Sequence, residues 1–218
     1  WLHSDQSYSK PQFECVQSWV NAYDTDDSDA TLTVLEGSNR YHKEFADTFK
    51  PENKTDWNLL DQAQLDWYEK TKKCTRVNIK CPAGSLVLWD SRTIHCGTEP
   101  DSSRTKSNYR CCVYLCYTPR LLATQSKLAS KIKAWEELRT TSHWPHRPKL
   151  FPKLPHTWGA PIPPIVQMPK PEILDIGYRL IGYDTKPEQV NNTSADSNTK
   201  NTKSLTKSKT KANKEIEV

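Results

Sequence analysis

Ala83-Gly84-Ser85-Leu86-Val87-Leu88-Trp89-Asp90-Ser91-Arg92-Thr93-Ile94-His95-Cys96-Gly97 is an apolar run that ends in a histidine. Its partner is the opening Trp1-Leu2-His3-Ser4-Asp5. Successive side chains on a strand point to opposite faces, so His3 and Asp5 share a face, as does Trp1. One imidazole and one carboxylate can then grip an ion from one side, and His95, from a distant strand, supplies a second imidazole. Two histidines and one carboxylate leave open positions on the metal and suit non-haem iron(II). A zinc site would have a closed shell of cysteines and histidines, or three ligands and a water. The metal ligands expected from the sequence are therefore His3, Asp5 and His95.

The chain resembles the phytanoyl-CoA dioxygenase family of iron(II)- and 2-oxoglutarate-dependent oxygenases. The resemblance rests on His3-Ser4-Asp5, on Asp29-Ala30-Thr31-Leu32-Thr33-Val34-Leu35-Glu36-Gly37-Ser38-Asn39, and on Pro82-Ala83-Gly84-Ser85 leading to Ile94-His95-Cys96-Gly97. Asn108-Tyr109-Arg110 follows. It covers about residues 1–120. The family has a histidine where Asn39 stands, with no catalytic consequence expected. The chain starts at Trp1, and the family's leading helices and first strand are missing from it.

The resemblance implies a mainly β fold, a double-stranded β-helix (jelly roll, cupin-like). It implies iron(II) as cofactor and 2-oxoglutarate as co-substrate, with dioxygen and a small organic molecule as the other reactants. The expected reaction is hydroxylation of a C–H bond coupled to decarboxylation of 2-oxoglutarate to succinate. Related halogenases lack the carboxylate ligand, so Asp5 favours hydroxylation. In the related enzymes an arginine on the last core strand holds the far carboxylate of 2-oxoglutarate, which a planar guanidinium reads through two parallel hydrogen bonds. Arg110 is the candidate for this role. Arg104 competes from a polar loop, and a structural salt bridge is the alternative for Arg110.

Two other functions would fit a chain of this pattern. One is a jelly-roll binding or structural protein without catalysis. The other is an oxygenase that modifies nucleic acid or protein and is recruited by a basic tail.

Three regions are expected: an oxygenase core at 1–120, a helix and Pro-rich extension at 121–184, and a disordered tail at 185–218. The tail has seven lysines against four acids and almost no large apolar residue. It carries three of the net charge of +5, so the body does not argue for a phosphate-binding surface. Nucleic acid is not an expected partner, and no apolar run reaches transmembrane length. The seven cysteines are odd in number and form no C-x-x-C pair, which points to a reducing, cytoplasmic setting rather than disulfides or zinc. Asp24 to Asp29 lacks the EF-hand glycine and terminal glutamate and is read as a solvated turn.

Coarse patterning places strands at 1–8, 13–24, 31–35, 77–81, 86–89 and 108–117, the fifth of them buried. Within the polar insert 40–73 a helix is expected from Thr55-Asp56, with Trp57, Leu60, Gln64, Trp67 and Tyr68 at helical spacing. A second helix spans 121–140 and packs on the outside of the sheet, and 172–184 adds one ordered segment. His143 and His146 have no neighbouring ligand set and are read as loop residues.

Overall fold

A computed structural model describes residues 1–52, 55–154, 159, 166 and 169–187. The expected disordered tail and most of the Pro-rich stretch lie outside the described residues. Contacts group the chain into two units, 1–186 and 187–218. The first is mainly β, with two antiparallel sheets and few helices.

The strands are β1 (His3–Ser4), β2 (Val16–Asn21), β3 (Thr31–Leu35), β4 (Asn58–Leu59), β5 (Arg76–Asn78), β6 (Leu86–Asp90), β7 (His95–Thr98) and β8 (Cys112–Tyr117). The helices are α1 (His42–Phe49), α2 (Gln62–Asp66), α3 (Gln125–Glu136) and α4 (Asp175–Ile181). The larger sheet has the order β4-β1-β7-β3-β5 and the smaller β6-β2-β8.

Register explains which residues face where. In the larger sheet His3 pairs with His95, Val34 with His95, Thr33 with Cys96 and Leu32 with Gly97. Directly paired residues share a face. One face therefore carries His3, His95, Leu32 and Gly97. The other carries Leu2, Leu35 and Cys96, which join a core with Phe45, Tyr68, Leu60 and Ile94. In the smaller sheet Gln17 pairs with Trp89 and Cys116, and Trp19 with Val87 and Tyr114. That row faces the His3–His95 face, and one cavity draws its lining from both sheets.

The core under the larger sheet is aromatic. Phe45 of α1 stacks between Tyr8, at 4.4 Å, and Tyr68, at 5.2 Å, with Trp67 edge-on at 5.8 Å. The turn Glu36-Gly37 after β3 uses a left-handed glycine, φ 79°, which a residue with a Cβ adopts only at a cost. It delivers Ser38, whose hydroxyl accepts from the Ile94 amide at 2.9 Å and so anchors the chain one residue before His95.

Several sequence expectations are corrected. The first strand is two residues long, because buried Gln6 donates to the carbonyls of Lys10 and Gln12, both at 2.6 Å, and curls the chain after Asp5. The strand expected at 13–24 shrinks to β2, and Phe13 is half exposed. That expected at 77–81 is β5, with Cys81 held only in a bridge to Thr25. The strand expected to be buried, β6, has no buried residue: Leu86 and Leu88 are 50% and 55% exposed on the outer face, and Val87 and Trp89 on the other face are half-buried. The insert's helix does not start at Thr55-Asp56, since Asn58–Leu59 pairs with β1 as β4. Asp61 caps α2 instead, in a reciprocal capping box with Gln64. The helix expected at 121–140 is α3, preceded by a 3-10 turn at Arg120–Leu122. The segment expected at 172–184 contains α4.

Phe45→Ala should cost about 3–5 kcal/mol of stability in urea melts, the range for a fully buried aromatic. His42 is buried against Tyr8, with Nε2 3.2 Å from the Ser7 carbonyl. Burial pushes its imidazole down from 6.5 to about 4; Arg92 adds to this and Asp90 opposes it. The unfolded chain binds that proton near pH 6.5 and the folded protein only near 4, so stability falls as pH drops through this window. His42→Gln should reduce the acid-side loss by up to ~3 kcal/mol, read as urea midpoints at pH 7 and pH 4.5.

Candidate metal centre

The pairing of β1 with β7 sets two imidazoles side by side, ring centroids 4.5 Å apart. Each ring turns its Nδ1 to a main-chain carbonyl: His3 to Trp1 at 3.3 Å, His95 to Thr93 at 2.9 Å. With Nδ1–H donating there, each Nε2 presents its lone pair. Both Nε2 atoms point to Asp5, at 3.6 Å from Oδ1 for His3 and 3.4 Å from Oδ2 for His95. The three ligand atoms lie within 4.8 Å of one another.

Asp5 is held from the smaller sheet. Gln17 Nε2 donates to Asp5 Oδ2 at 2.8 Å, and Gln17 Oε1 accepts from Trp89 Nε1 at 3.0 Å. Burial alone would raise the Asp5 carboxyl. His95, His143 and the Gln17 amide beside it outweigh this and hold the group well below the usual carboxylate range. Burial and the neighbouring His95 push His3 down, with Asp5 opposing. The group is thus a carboxylate beside imidazole lone pairs, two nitrogens and oxygen on one face, a set that fits a divalent first-row metal with open positions.

The base of His95 is also fixed. Arg92 pairs with Asp90 at 2.6 Å, and Asn39, where the related enzymes carry histidine, donates to Asp90 at 3.4 Å. Arg104 is occupied: it pairs with Asp29 at 3.2 Å.

Arg110 is not deep in the cavity. The strand expected at 108–117 begins only at Cys112, so Arg110 precedes the ladder and is exposed. It remains on the side of Tyr114 and Cys116. Its guanidinium lies 5.8 Å from the Trp19 ring and donates to the Tyr114 hydroxyl at 3.1 Å. Tyr114 lines the cavity with His3, Asp5 and His95. Arg110 therefore stands at the lip, one side chain removed from the ligands.

The cavity measures about 520 Å³. Beyond the two sheets it is lined by Thr141, Ser142, His143 and Phe151 from the segment after α3. His143, read from sequence as a loop residue, is thus part of the wall. Its only sequence signal was its place in Ser142-His143-Trp144-Pro145-His146, which says nothing about partners distant in the chain.

Fold and donor set together describe a mainly β protein with a candidate mononuclear metal centre of two histidines and one carboxylate. Residues 1–107 match the family model for phytanoyl-CoA dioxygenase (PhyH), and in that stretch the chain is similar to this family. The match contains the three candidate ligands and stops short of Arg110 and His143. The chain is also 28% identical over 156 residues to "Ava biosynthesis cluster protein O" of Aspergillus versicolor, covering 67% of this chain and 49% of that protein. It thus spans about half the length of that relative. Among solved structures it is similar to GlcNAc Inducible Gene 2 of Candida albicans, at 17% identity and TM-score 0.42 over 58% of this chain and 32% of that one. That likeness is too distant to carry an argument.

Gln17→Leu removes the amide that holds Asp5 and strands the Trp89 indole N–H. It should weaken Co(II) binding about 10- to 100-fold, the usual cost of losing a hydrogen bond behind a ligand. Titration of the Co(II) absorption band, with circular dichroism as the folding control, checks this.

Proposed function

We propose that the chain is an iron(II)- and 2-oxoglutarate-dependent dioxygenase that hydroxylates an organic substrate. The observation that carries the reading is the convergence of His3 Nε2, His95 Nε2 and Asp5 in one cavity, with both Nδ1 atoms committed to carbonyls. Similarity to an oxygenase family supports it. We read the two antiparallel sheets across this cavity as the double-stranded β-helix of that class.

On this reading His3, Asp5 and His95 hold the iron. When bound, iron(II) supplies the redox centre at which dioxygen is consumed while 2-oxoglutarate becomes succinate and carbon dioxide and a substrate C–H becomes C–OH. The chain's own residues do the rest. Gln17 and Trp89 fix the orientation of Asp5. Leu32, Trp89 and Phe151 give the cavity its apolar surface. Arg110 reads the far carboxylate of 2-oxoglutarate from the lip, with Tyr114 holding the guanidinium in place. Among the described residues no helix is long and apolar enough to cross a membrane, and a small molecule is the fitting substrate for a cavity of this size.

The test is succinate release from 2-oxoglutarate by the full chain, with and without iron(II). Iron-dependent release is expected. His3→Ala and Asp5→Ala should each lower it more than 100-fold. Arg110→Ala should raise the KM for 2-oxoglutarate at least tenfold with a smaller effect on kcat, as loss of a charge-assisted pair predicts. Iron-independent release, or full release by His3→Ala, removes the assignment. No release with iron bound favours a binding protein without catalysis.

A further inference from the structure

A second cavity lies between the smaller sheet and the two C-terminal helices. Leu115 and Tyr117 line it from β8, and strand parity puts them on the face away from Tyr114. Leu128 and Trp135 of α3 and Leu180 of α4 complete an apolar surface. The cavity measures about 420 Å³.

Its charge is one-sided. Arg120, Lys131, Arg139 and Arg179 line it, and among the described residues neither aspartate nor glutamate does. Two of the four cations are committed to the fold. Arg120 donates to the Arg179 and Gly182 carbonyls at 3.0 and 3.1 Å, at the end of α4, and pairs with Asp184 at 2.7 Å. Arg139 donates to the Phe151 carbonyl at 2.7 Å and pairs with Glu137 at 2.9 Å.

The other two are open to a partner. Lys131 is half-buried and stands on the same side of α3 as Leu128 and Trp135, its i−3 and i+4 neighbours. It donates to the Leu180 carbonyl at 2.7 Å and forms no ion pair among the described residues. An ammonium carries three N–H donors, so two remain. Burial pushes this ammonium down, and the charge of Arg120 adds to it. The Arg179 side chain has neither a hydrogen bond nor an ion pair among the described residues. A desolvated charge is costly until an opposite charge meets it. A neutral apolar molecule would cover the apolar surface and leave Lys131 unpaired. A cation would meet four like charges. A molecule with an apolar chain and an anionic end satisfies both halves of the cavity.

We propose that this cavity is a second ligand site and that it takes an alkyl carboxylate. The carboxylate pairs with Lys131 and Arg179, and the chain lies on Leu115, Tyr117, Leu128 and Trp135. None of the three candidate metal ligands lines it, and the site does not rest on the oxygenase reading.

The probes are decanoate, 1-decanol and decyltrimethylammonium, titrated below their micelle concentrations into the full chain and followed by calorimetry. Decanoate should bind about tenfold tighter than 1-decanol, the value of one charge-assisted hydrogen bond, and decyltrimethylammonium should bind weakest. Lys131→Met keeps most of the side chain's bulk without its charge. It should erase the preference for decanoate while 1-decanol still binds. Arg179→Gln should reduce the preference in part. Cys116 and Thr141 line both cavities, so the metal cavity with Arg110 at its lip is the competing seat. Arg110→Ala should therefore leave decanoate binding unchanged. No binding of decanoate, equal binding of 1-decanol or decyltrimethylammonium, an unchanged preference in folded Lys131→Met, or loss of decanoate binding in Arg110→Ala overturns the proposal. These titrations need neither iron nor turnover, so failure of succinate release leaves them standing.

Discussion

The structure depends on one register: His3 of β1 opposite His95 of β7. Side chains on a strand alternate with a period of two, so a slip by one residue exchanges the two faces of a strand. A slipped β1 would turn His3 into the aromatic core and Leu2 into the cavity. The core forbids this, since Leu2, Leu35 and Cys96 are packed against Phe45 and Tyr68 on the far side of the same sheet. Packing on one face thereby fixes donor geometry on the other. The Ser38 hydroxyl on the Ile94 amide adds a second lock at β7.

That geometry carries an electrostatic cost. Three polar side chains sit on a mostly buried surface, and a buried carboxylate is expensive unless paired and hydrogen-bonded. Asp5 is compensated by the Gln17 amide, and Gln17 is itself braced by Trp89. The imidazoles spend Nδ1 on carbonyls, which leaves Nε2 unspent. Aligned lone pairs and an anion repel one another in the absence of a cation. A site held in that state by rigid neighbours has a place for positive charge, which is the physical content of the metal assignment.

The sequence made the sheet faces and the convergence of His3, Asp5 and His95 readable because both follow from strand parity, a local property. Parity also placed Arg110 with Tyr114 and Cys116. It did not show that the ladder starts at Cys112, because strand ends are decided by tertiary pairing. The helix α1 was missed for a similar reason: His42–Phe49 carries many polar residues and owes its order to the tertiary packing of His42, Phe45 and Phe49. Asp61-Gln62-Ala63-Gln64 was a legible capping box that Thr55-Asp56 obscured. His143 was not legible at all. Nothing in its neighbours announces a cavity, and only the clamp of Trp144 by Lys10 and Arg147 brings it there.

The two kinds of wall around the cavity are supported differently, and this has a consequence for how such a site can change. The ligands ride on strands whose opposite faces build the core, so a substitution near His3 or His95 disturbs packing and chemistry together. The wall at Thr141–His143 and Phe151 is held by ion pairs to Glu14 and Asp56 and by one buried indole, all outside the larger sheet. Residues there can be exchanged while the β1–β7 register stays intact, because no sheet pairing runs through them. The part of the cavity wall at 141–151 is thus mechanically separate from the strands that position His3 and His95. Changes confined to residues 141–151 therefore reshape the cavity while His3, Asp5 and His95 keep their places.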